Sequence, residues 1–368
     1  MTKAETPIKI GKFTLKNRIT FAPTVKFDFT DASGKVTPKL VEHYRERAEG
    51  GCGLICVEAT AVLPGGRFGP NHMGLWDDEQ TEGHKLITEA CHKNGAVVII
   101  QLNHTGYTSN PECGEPIGPS ELKLKGFNGE YTTKEMSIED IHSVQKAYTD
   151  AAIRAKRAGY DGIQLHACHG YLINQFASPE GNKRTDEYGG SAKNRARFGS
   201  EIISSIRRAC GDDFLISART TGYDSSVGDA LTIAEEYVKA GCDYLQVSTG
   251  MTSLDSLEEY RSEKDPEHLI DKVESLGIRF KEHFGGRIPV SCVGGIKSPK
   301  QVKLLIENDF IDTVDVARAL LADPGFADAV LYDNEYTACF GCKICQFGPF
   351  TGHMCPAEVL RKRKGGAE

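Results

Sequence analysis

Several features that assign proteins to common classes are missing from this sequence. No apolar run in its 368 residues approaches the length of a membrane-spanning helix, and the N-terminus lacks the apolar region of a signal peptide. Basic residues are outnumbered, and a formal net charge of −7 argues against nucleic acid or an anionic membrane as the main partner. We therefore expect a cytoplasmic protein.

A GxGxxG motif, which would mark a doubly wound dinucleotide-binding sheet, is also missing. Instead, eight short apolar segments alternate with helical patterns, as parallel strands buried on both faces do. Eight alternations in a chain of this length predict an α/β fold of the (β/α)8 TIM-barrel type, with the doubly wound sheet as the alternative. The predicted strands are Arg18–Pro23, Gly53–Ala59, Ala96–Leu102, Asp161–His166, Phe214–Arg219, Asp243–Ser248, Pro289–Val293 and Thr313–Ala317.

Helical patterns and one long connection complete the predicted architecture. Ser137, with Asp140 three residues on, is typical of a helix N-cap. The connection 103–136 is rich in Gly, Pro and Lys, and we expect it to form a lid over the barrel mouth. The predicted helices include Pro38–Glu49, Glu79–Asn94, Ile138–Ala158, Ala192–Arg208 and Pro299–Asn308.

The most informative stretch is 165–198, LHACHGYLINQFASPEGNKRTDEYGGSAKNRARF. The fourth predicted strand ends at His166, and His169 and Tyr171 follow within five residues. A barrel displays its catalytic groups at the C-terminal ends of its strands, so these side chains are candidate catalytic residues. Two histidines three residues apart are also compatible with metal ligands, or with structural histidines whose hydrogen bonds are satisfied.

This stretch closely resembles the signature of the old yellow enzyme family of flavin-dependent oxidoreductases. The resemblance implies an FMN-binding barrel that acts as an ene-reductase, with Tyr171 as the general acid. A phenol has a reference pKa near 10, so it stays protonated at neutral pH and can donate. By the same resemblance, His166 and His169 bind the carbonyl oxygen of an α,β-unsaturated substrate and stabilise the developing enolate.

The resemblance also implies a set of FMN contacts at the strand ends. Gln101 closes an apolar strand, where its amide needs a hydrogen-bond partner such as the flavin pyrimidine edge. Arg219 places a cation beside the reduced flavin, although a surface ion pair is the alternative. Val25 departs from the Thr or Cys that the family often carries, and it excludes a cysteinyl flavin link. The implied FMN-binding residues are Pro23, Thr24, Val25, Ala59, Gln101, Arg219, Gly294, Gly295, Ala317 and Arg318.

The glycine pair and the arginine in that set belong to the predicted phosphate site. Loops after strands seven and eight form a recurrent phosphate cradle in barrels. Gly294 and Gly295 allow backbone N–H groups to approach a phosphate, and Arg318 can bind it with two hydrogen bonds. Ala317 stands where the family usually has glycine, and one methyl group is the difference.

Four of the twelve cysteines are crowded near the C-terminus. Cys339, Cys342 and Cys345 form a CxxCxxC motif, and Cys355 precedes a proline. Three thiolates from one tight loop and a fourth downstream are typical of a 4Fe–4S cluster, and zinc is the alternative. We therefore predict two units, a barrel over residues 1–332 and an iron–sulfur segment over 333–368 that packs on it.

With this cysteine motif, the sequence resembles one branch of the family in particular, the branch that contains dienoyl-CoA reductases and trimethylamine dehydrogenase. Those relatives continue into nucleotide-binding domains, so the sequence predicts that electrons come from a separate donor protein, or from NAD(P)H directly. The leading hypothesis is a homo-oligomeric ene-reductase. An amine or C–H dehydrogenase that passes electrons outward, and an electron-transfer subunit, are the alternatives.

Overall fold

Eight parallel strands close into a barrel, which confirms the predicted fold class. The computed structural model describes residues 2–26, 29–126, 129–251, 253–255, 257, 261–342, 345 and 355–365. Each predicted strand is present, and consecutive strands of the barrel pair side by side until the last closes on the first. The barrel strands are β3 (Ile19–Phe21), β4 (Leu54–Ala61), β5 (Val97–Asn103), β10 (Gly162–Ala167), β11 (Leu215–Thr221), β12 (Tyr244–Ser248), β13 (Val290–Val293) and β14 (Thr313–Val316).

Helices follow the strands and cover the outside of the barrel. The helix predicted at Pro38–Glu49 has those bounds, and the other predicted helices differ by one or two residues at their ends, where helices fray. The helices are α1 (Pro38–Glu49), α2 (Thr81–His92), α3 (Ile138–Arg157), α4 (Leu172–Ala177), α5 (Ala192–Cys210), α6 (Val227–Lys239), α7 (Lys272–Phe284), α8 (Pro299–Glu307), α9 (Arg318–Ala322), α10 (Phe326–Tyr332) and α11 (Pro356–Gly365).

The start of α3 confirms the predicted N-cap. The Ser137 hydroxyl accepts a hydrogen bond from the backbone N–H of Asp140 at 3.1 Å, and the Asp140 carboxylate accepts one from the Ser137 N–H at 3.0 Å. Two N–H groups that would otherwise lack partners are thereby satisfied.

We expect Ser137→Ala to lower the free energy of unfolding by about 1 kcal/mol, because the cap bond is lost. The measurement is the denaturation midpoint in urea. Ser143 is exposed in the interior of the same helix, so Ser143→Ala is the matched control and should not lower the midpoint. Equal midpoints for the two variants would contradict a stabilising role for the cap.

The connection after β5 contains two small sheets. One pairs β6 (Ile117–Gly118) with β9 (Lys134–Glu135), and the other is an antiparallel hairpin of β7 (Lys123–Gly126) and β8 (Gly129–Thr132). The connection reaches the loop that follows β12, because the Tyr107 hydroxyl lies 3.3 Å from the Met251 sulfur. A third pair, β1 (Ile8–Ile10) with β2 (Phe13–Leu15), precedes the barrel.

The described part of the C-terminal segment contacts the barrel. The Thr337 N–H donates to the Asp323 carboxylate at 2.7 Å, and the Tyr336 ring packs edge-on against Phe326, with centroids 5.3 Å apart. The helix α11 lies against α9. Part of the predicted segment 333–368 lies outside the described residues. Within the part of the chain that the structure covers, no helix combines the length and apolarity needed to span a membrane.

One layer of the barrel interior is polar, although barrel interiors are usually filled by branched apolar side chains. Each of the eight strands contributes one side chain to this layer, and none of these eight side chains is more than 1% exposed. The members of this layer are Thr20, Cys56, Gln101, Gln164, Ser217, Gln246, Ser291 and Asp315. Buried polar groups are costly unless they are hydrogen-bonded, and here they bond mainly to one another.

Candidate active site

Two adjoining cavities lie at the C-terminal ends of the barrel strands. The first has a volume of about 340 Å³ and the second about 440 Å³. Thr24, His169, Arg219 and Ala317 line both cavities, so the two lie side by side. The first is lined by Pro23, Thr24, Val25, Ala59, Phe68, Gln101, His166, His169, Tyr171, Arg219 and Ala317.

The three predicted catalytic side chains meet at the first cavity. His166 lies at the end of β10, and the chain then turns sharply, with a positive φ of 60° at His169 and 75° at Gly170. A non-glycine residue in this region is strained and is often found at functional sites. The turn brings the Tyr171 ring back to His166, with centroids 4.7 Å apart.

A hydrogen-bonded series runs through the two histidines. His166 Nε2 lies 3.0 Å from His169 Nδ1, and His169 Nε2 lies 2.8 Å from the Ser248 hydroxyl at the end of β12. His166 Nδ1 is buried and has no hydrogen-bond partner among the described residues. A ligand atom that met this nitrogen would remove the cost of burying it unpaired.

Burial and a neighbouring cation control the charge of these groups. Burial holds the pKa of His166 and of His169 well below the usual value, and the Arg219 guanidinium lowers both further. Burial also raises the pKa of Tyr171 to about 12. At neutral pH the site therefore contains two neutral imidazoles, a protonated phenol and one fixed cation.

Burial and the Arg219 cation also decide whether the two histidines could bind a metal ion, the alternative that the sequence left open. Within the described ranges, His166, Cys168 and His169 form the one group of three or more potential donors whose ligand atoms all lie within 4.8 Å of one another. However, burial raises the pKa of the Cys168 thiol to about 12, so the thiolate that a metal needs is disfavoured. Arg219 would also repel a cation here, so this group suits a neutral or anionic ligand.

Gln101 and Arg219 have the chemistry expected of flavin contacts. Arg219 lies 3.4 Å from the Ser248 hydroxyl through Nη2, but its Nε is buried without a hydrogen-bond partner among the described residues. A carbonyl oxygen of the flavin pyrimidine ring would satisfy that donor. The Gln101 amide donates to Gln164 at 2.7 Å, which leaves its carbonyl oxygen for a ligand. The residues present therefore fit an isoalloxazine ring.

The second cavity holds the predicted phosphate residues. Gly294, Gly295 and Arg318 line it, together with Ser248, Thr249 and Asp315. A Cβ atom on Gly295 would lie 2.3 Å from the Asp271 carboxylate, and the positive φ of 54° there also favours glycine. The loops after β13 and β14 therefore provide exposed backbone and one guanidinium for a phosphate.

A third, smaller cavity brings the four predicted cysteine ligands together. Cys339, Cys342, Cys345 and Cys355 all line it, with Arg318 and Leu321 on the barrel side. Arg318, Leu321 and Cys345 also line the second cavity, so the cysteines lie directly beside the predicted phosphate site.

Among the site residues that the sequence analysis missed, two contact the predicted catalytic side chains. Phe68 forms one wall of the first cavity, with its ring centroid 4.9 Å from that of Tyr171. It lies in a glycine-rich loop without periodicity, so the sequence contains no signal for it. Ser248 contacts both His169 and Arg219, and its place as the last residue of the sixth predicted strand was an available signal.

The fold and these cavities define a barrel oxidoreductase with a flavin site, and the comparisons with known proteins agree. Residues 5–335 match the model of the NADH:flavin oxidoreductase / NADH oxidase family. The chain belongs to this family, the old yellow enzyme family that the sequence predicted, and is an FMN-dependent oxidoreductase.

Among the relatives, an NADPH dehydrogenase of Bacillus pumilus is 34% identical over 328 residues, which cover 88% of this chain and 93% of that protein. An NADPH dehydrogenase of Halalkalibacterium halodurans is 35% identical over 314 residues, which cover 84% of this chain and 88% of that protein.

Two solved structures of longer proteins are also similar. A complex of 2-naphthoyl-CoA reductase with 2-naphthoyl-CoA superposes with a TM-score of 0.84 at 28% identity, over 93% of this chain and 54% of that chain. Histamine dehydrogenase from Rhizobium sp. 4-9 superposes with a TM-score of 0.81 at 26% identity, over 96% of this chain and 51% of that chain. This chain therefore spans about half the length of each.

Proposed function

We propose that this protein reduces the C=C bond of an α,β-unsaturated carbonyl compound. Tyr171 is the proton donor, and the His166–His169 pair binds the carbonyl oxygen, with His166 in direct contact. The observation that supports this most directly is the convergence of the three side chains on one cavity that Gln101 and Arg219 also line. The cavity is of the size that small-molecule ligands occupy.

Bound FMN would supply hydride from N5, and we propose that it is held by Pro23, Thr24, Val25, Ala59, Gln101, Arg219, Gly294, Gly295, Ala317 and Arg318. Arg219 provides positive charge at the pyrimidine end, and Arg318 with the two glycines receives the phosphate. The unpaired Arg219 Nε supports the first assignment.

The two histidines act on the carbonyl oxygen as a neutral pair, in which His166 is the direct donor and His169 fixes its tautomer. In one arrangement of tautomers every contact has a donor and an acceptor. The Ser248 hydroxyl donates to His169 Nε2, and His169 Nδ1–H donates to His166 Nε2. His166 Nδ1–H is then the free donor of the series. Donation to a carbonyl oxygen stabilises the negative charge that develops there when the alkene accepts hydride.

Tyr171 delivers the proton to the α-carbon. Its phenol stays protonated because burial raises its pKa to about 12. The Phe68 ring beside it keeps water from that face of the cavity, so the developing carbanion meets Tyr171 as its proton source.

We also propose a 4Fe–4S cluster held by Cys339, Cys342, Cys345 and Cys355, in a segment over 333–368 that forms a unit beside the barrel. The four side chains line one cavity, three of them come from a single CxxCxxC loop, and this arrangement supports the cluster over zinc.

The electron source is either NAD(P)H at the barrel mouth or a separate protein that docks near the cysteines. The relatives named NADPH dehydrogenase support the first, and the position of Cys345 beside the second cavity supports the second. The similarity to histamine dehydrogenase favours amine oxidation as a second candidate function. Val25 lines the first cavity, so no thiol is present there to link the flavin covalently.

We expect a phenol with a carbonyl substituent, such as 4-hydroxybenzaldehyde, to bind the oxidised holoenzyme and give a long-wavelength charge-transfer band. His166→Ala should weaken this binding roughly ten- to hundredfold, because a hydrogen bond to a phenolate oxygen is lost. His169→Ala should also weaken it, because His166 loses the partner that leaves its Nδ1–H free to donate. The measurement is a spectral titration of the flavin. His142 is exposed on α3, so His142→Ala is the matched control and should titrate like the wild type.

A phenol band that survives both active-site substitutions would contradict the proposed role of the histidines. A wild-type protein that gives no band and turns over an amine, but no enone, would favour the dehydrogenase instead.

A further inference from the structure

Four members of the polar layer form a continuous hydrogen-bonded amide chain that ends in a carboxylate. We define the amide chain as Gln101, Gln164, Gln246 and Asp315. Gln101 Nε2 lies 2.7 Å from Gln164 Oε1, Gln164 Nε2 lies 2.5 Å from Gln246 Oε1, and Gln246 Nε2 lies 2.6 Å from Asp315 Oδ1. One end, Gln101, lines the first cavity, and the other, Asp315, lines the second.

The amide chain crosses the interior of the barrel. Gln164 and Gln246 lie on β10 and β12, which do not pair because β11 lies between them. Gln246 and Asp315 lie on β12 and β14, which are separated by β13. All four side chains are no more than 1% exposed, so water does not compete for these bonds.

The carboxylate gives the amide chain one direction. An ionised carboxylate only accepts hydrogen bonds, so Gln246 must point its NH₂ group at Asp315. Its carbonyl oxygen then faces Gln164, which in turn must donate to it. The same argument makes Gln101 donate to Gln164, and the Cys56 thiol, 3.6 Å from Gln164 Oε1, also donates to that oxygen.

Asp315 is well supported as the accepting end. The hydroxyls of Thr20 and Ser291 both donate to it, in addition to Gln246. Burial raises its pKa to about 6, and the two hydroxyls and the Arg219 cation oppose that rise. The carboxylate is therefore mainly ionised at neutral pH.

We propose that Asp315 is a positioning residue that acts through Gln246 and Gln164 to hold the Gln101 carbonyl oxygen towards the first cavity, where it accepts the ring N–H of the flavin pyrimidine edge. The proposal rests on the flavin placement proposed above, and it is independent of the ene-reductase chemistry. A Gln101 turned the other way would present NH₂ to that ring N–H, and two donors would face each other.

A network that only satisfied buried polar groups would work equally well in either direction. Asp315 is the member that removes this freedom, because each glutamine can reverse and a carboxylate cannot. Replacing it by the isosteric Asn permits the reversed chain, since an Asn NH₂ can donate to the Gln246 carbonyl oxygen. The prediction therefore concerns the direction of the hydrogen bonds and not their number.

The test compares FMN with 3-methyl-FMN, which has no ring N–H. The flavin of the full-length chain is exchanged anaerobically, retention of the fold is checked by circular dichroism, and both dissociation constants are measured by fluorescence quenching. We expect the wild type to prefer FMN roughly five- to hundredfold, the effect of leaving one buried acceptor unpaired. Asp315→Asn should lower this preference for FMN several-fold. Gln101→Leu should abolish the share of the preference that comes from the hydrogen bond between Gln101 and the ring N–H.

Two further variants keep the result interpretable. Gln246→Met interrupts the amide chain and leaves Asp315 with its two hydroxyl donors, so it should reproduce the loss of preference even if Asp315→Asn does not fold. Thr20→Val removes a donor and retains the carboxylate, so at pH 8 it should keep the wild-type preference.

An unchanged preference in both Asp315→Asn and Gln246→Met, with a reduced preference in Gln101→Leu, would overturn the proposal and leave the flavin site standing. An unchanged preference in Gln101→Leu would show that Gln101 does not meet the ring N–H, which also overturns it. A wild type that binds neither flavin would refute the flavin placement itself. Enone turnover is not measured, so the outcome does not depend on the proposed reaction.

Discussion

Replacing Tyr171 by Phe should slow alkene reduction roughly 10²- to 10⁴-fold while the flavin is still reduced at the wild-type rate. The substitution removes one oxygen from a ring that packs 4.7 Å from His166 and 4.9 Å from Phe68, measured between centroids, so the wall of the cavity keeps its shape. Only the proton source is lost. Reduction of the flavin needs no proton from this phenol, so the two half-reactions should separate.

The measurement is anaerobic stopped-flow spectroscopy of each half-reaction, with NADH, NADPH and dithionite compared as reductants and a cyclic enone as oxidant. Because burial raises the Tyr171 pKa to about 12, the wild-type enone reaction should not lose rate through deprotonation of this group up to about pH 10. Tyr131 donates to the Tyr107 carbonyl in the connection after β5 and does not line the first cavity, so Tyr131→Phe is the matched control. Equal losses in both half-reactions of Tyr171→Phe would refute the assigned role.

Replacing Cys342 by Ser should remove iron and sulfide from the purified protein while FMN remains bound. A 4Fe–4S cluster needs four thiolates, and a serine hydroxyl is a poor substitute at neutral pH. FMN should remain because its proposed contacts come from the barrel. The measurement is the content of iron, sulfide, zinc and flavin in protein purified anaerobically.

Cys113 offers a matched control for that substitution. It lies partly exposed in the connection after β5, and it does not line the cavity that the four cysteines share. Cys113→Ser should therefore keep about four irons per chain, the content of one 4Fe–4S cluster. One zinc in place of the irons, or iron retained in Cys342→Ser, would contradict the proposed cluster.

The sequence predicted the barrel because its strands are apolar over nearly their whole length. Parallel strands that are covered on both faces are buried along their whole length, and every residue of Leu54–Ala61 is buried in this way. The strand ends were equally informative, since His166, Gln101 and Arg219 interrupt apolar runs at the place where a barrel displays functional groups. The resemblance to a known family indicated that these residues belong to one site. Their spacing along the chain would not have indicated this.

The polar layer was not predicted, because single polar residues in apolar strands look unrelated along the chain. Gln164, Gln246 and Asp315 lie far apart in sequence and meet only when the barrel closes. The left-handed conformation of His169 was also beyond the sequence, because it follows from the turn that returns Tyr171 to the cavity. The small sheets in the connection after β5 depend on tertiary contacts in the same way.

The two cavities share four residues, and this has a consequence for how the substrate range of the enzyme can change. A substitution at Thr24, His169, Arg219 or Ala317 alters the surroundings of both cavities at once, so a gain for a new substrate carries a loss of cofactor affinity. Phe68 lines the first cavity alone and is not among the proposed flavin contacts. A library built at that position should therefore explore new substrates while the flavin stays loaded.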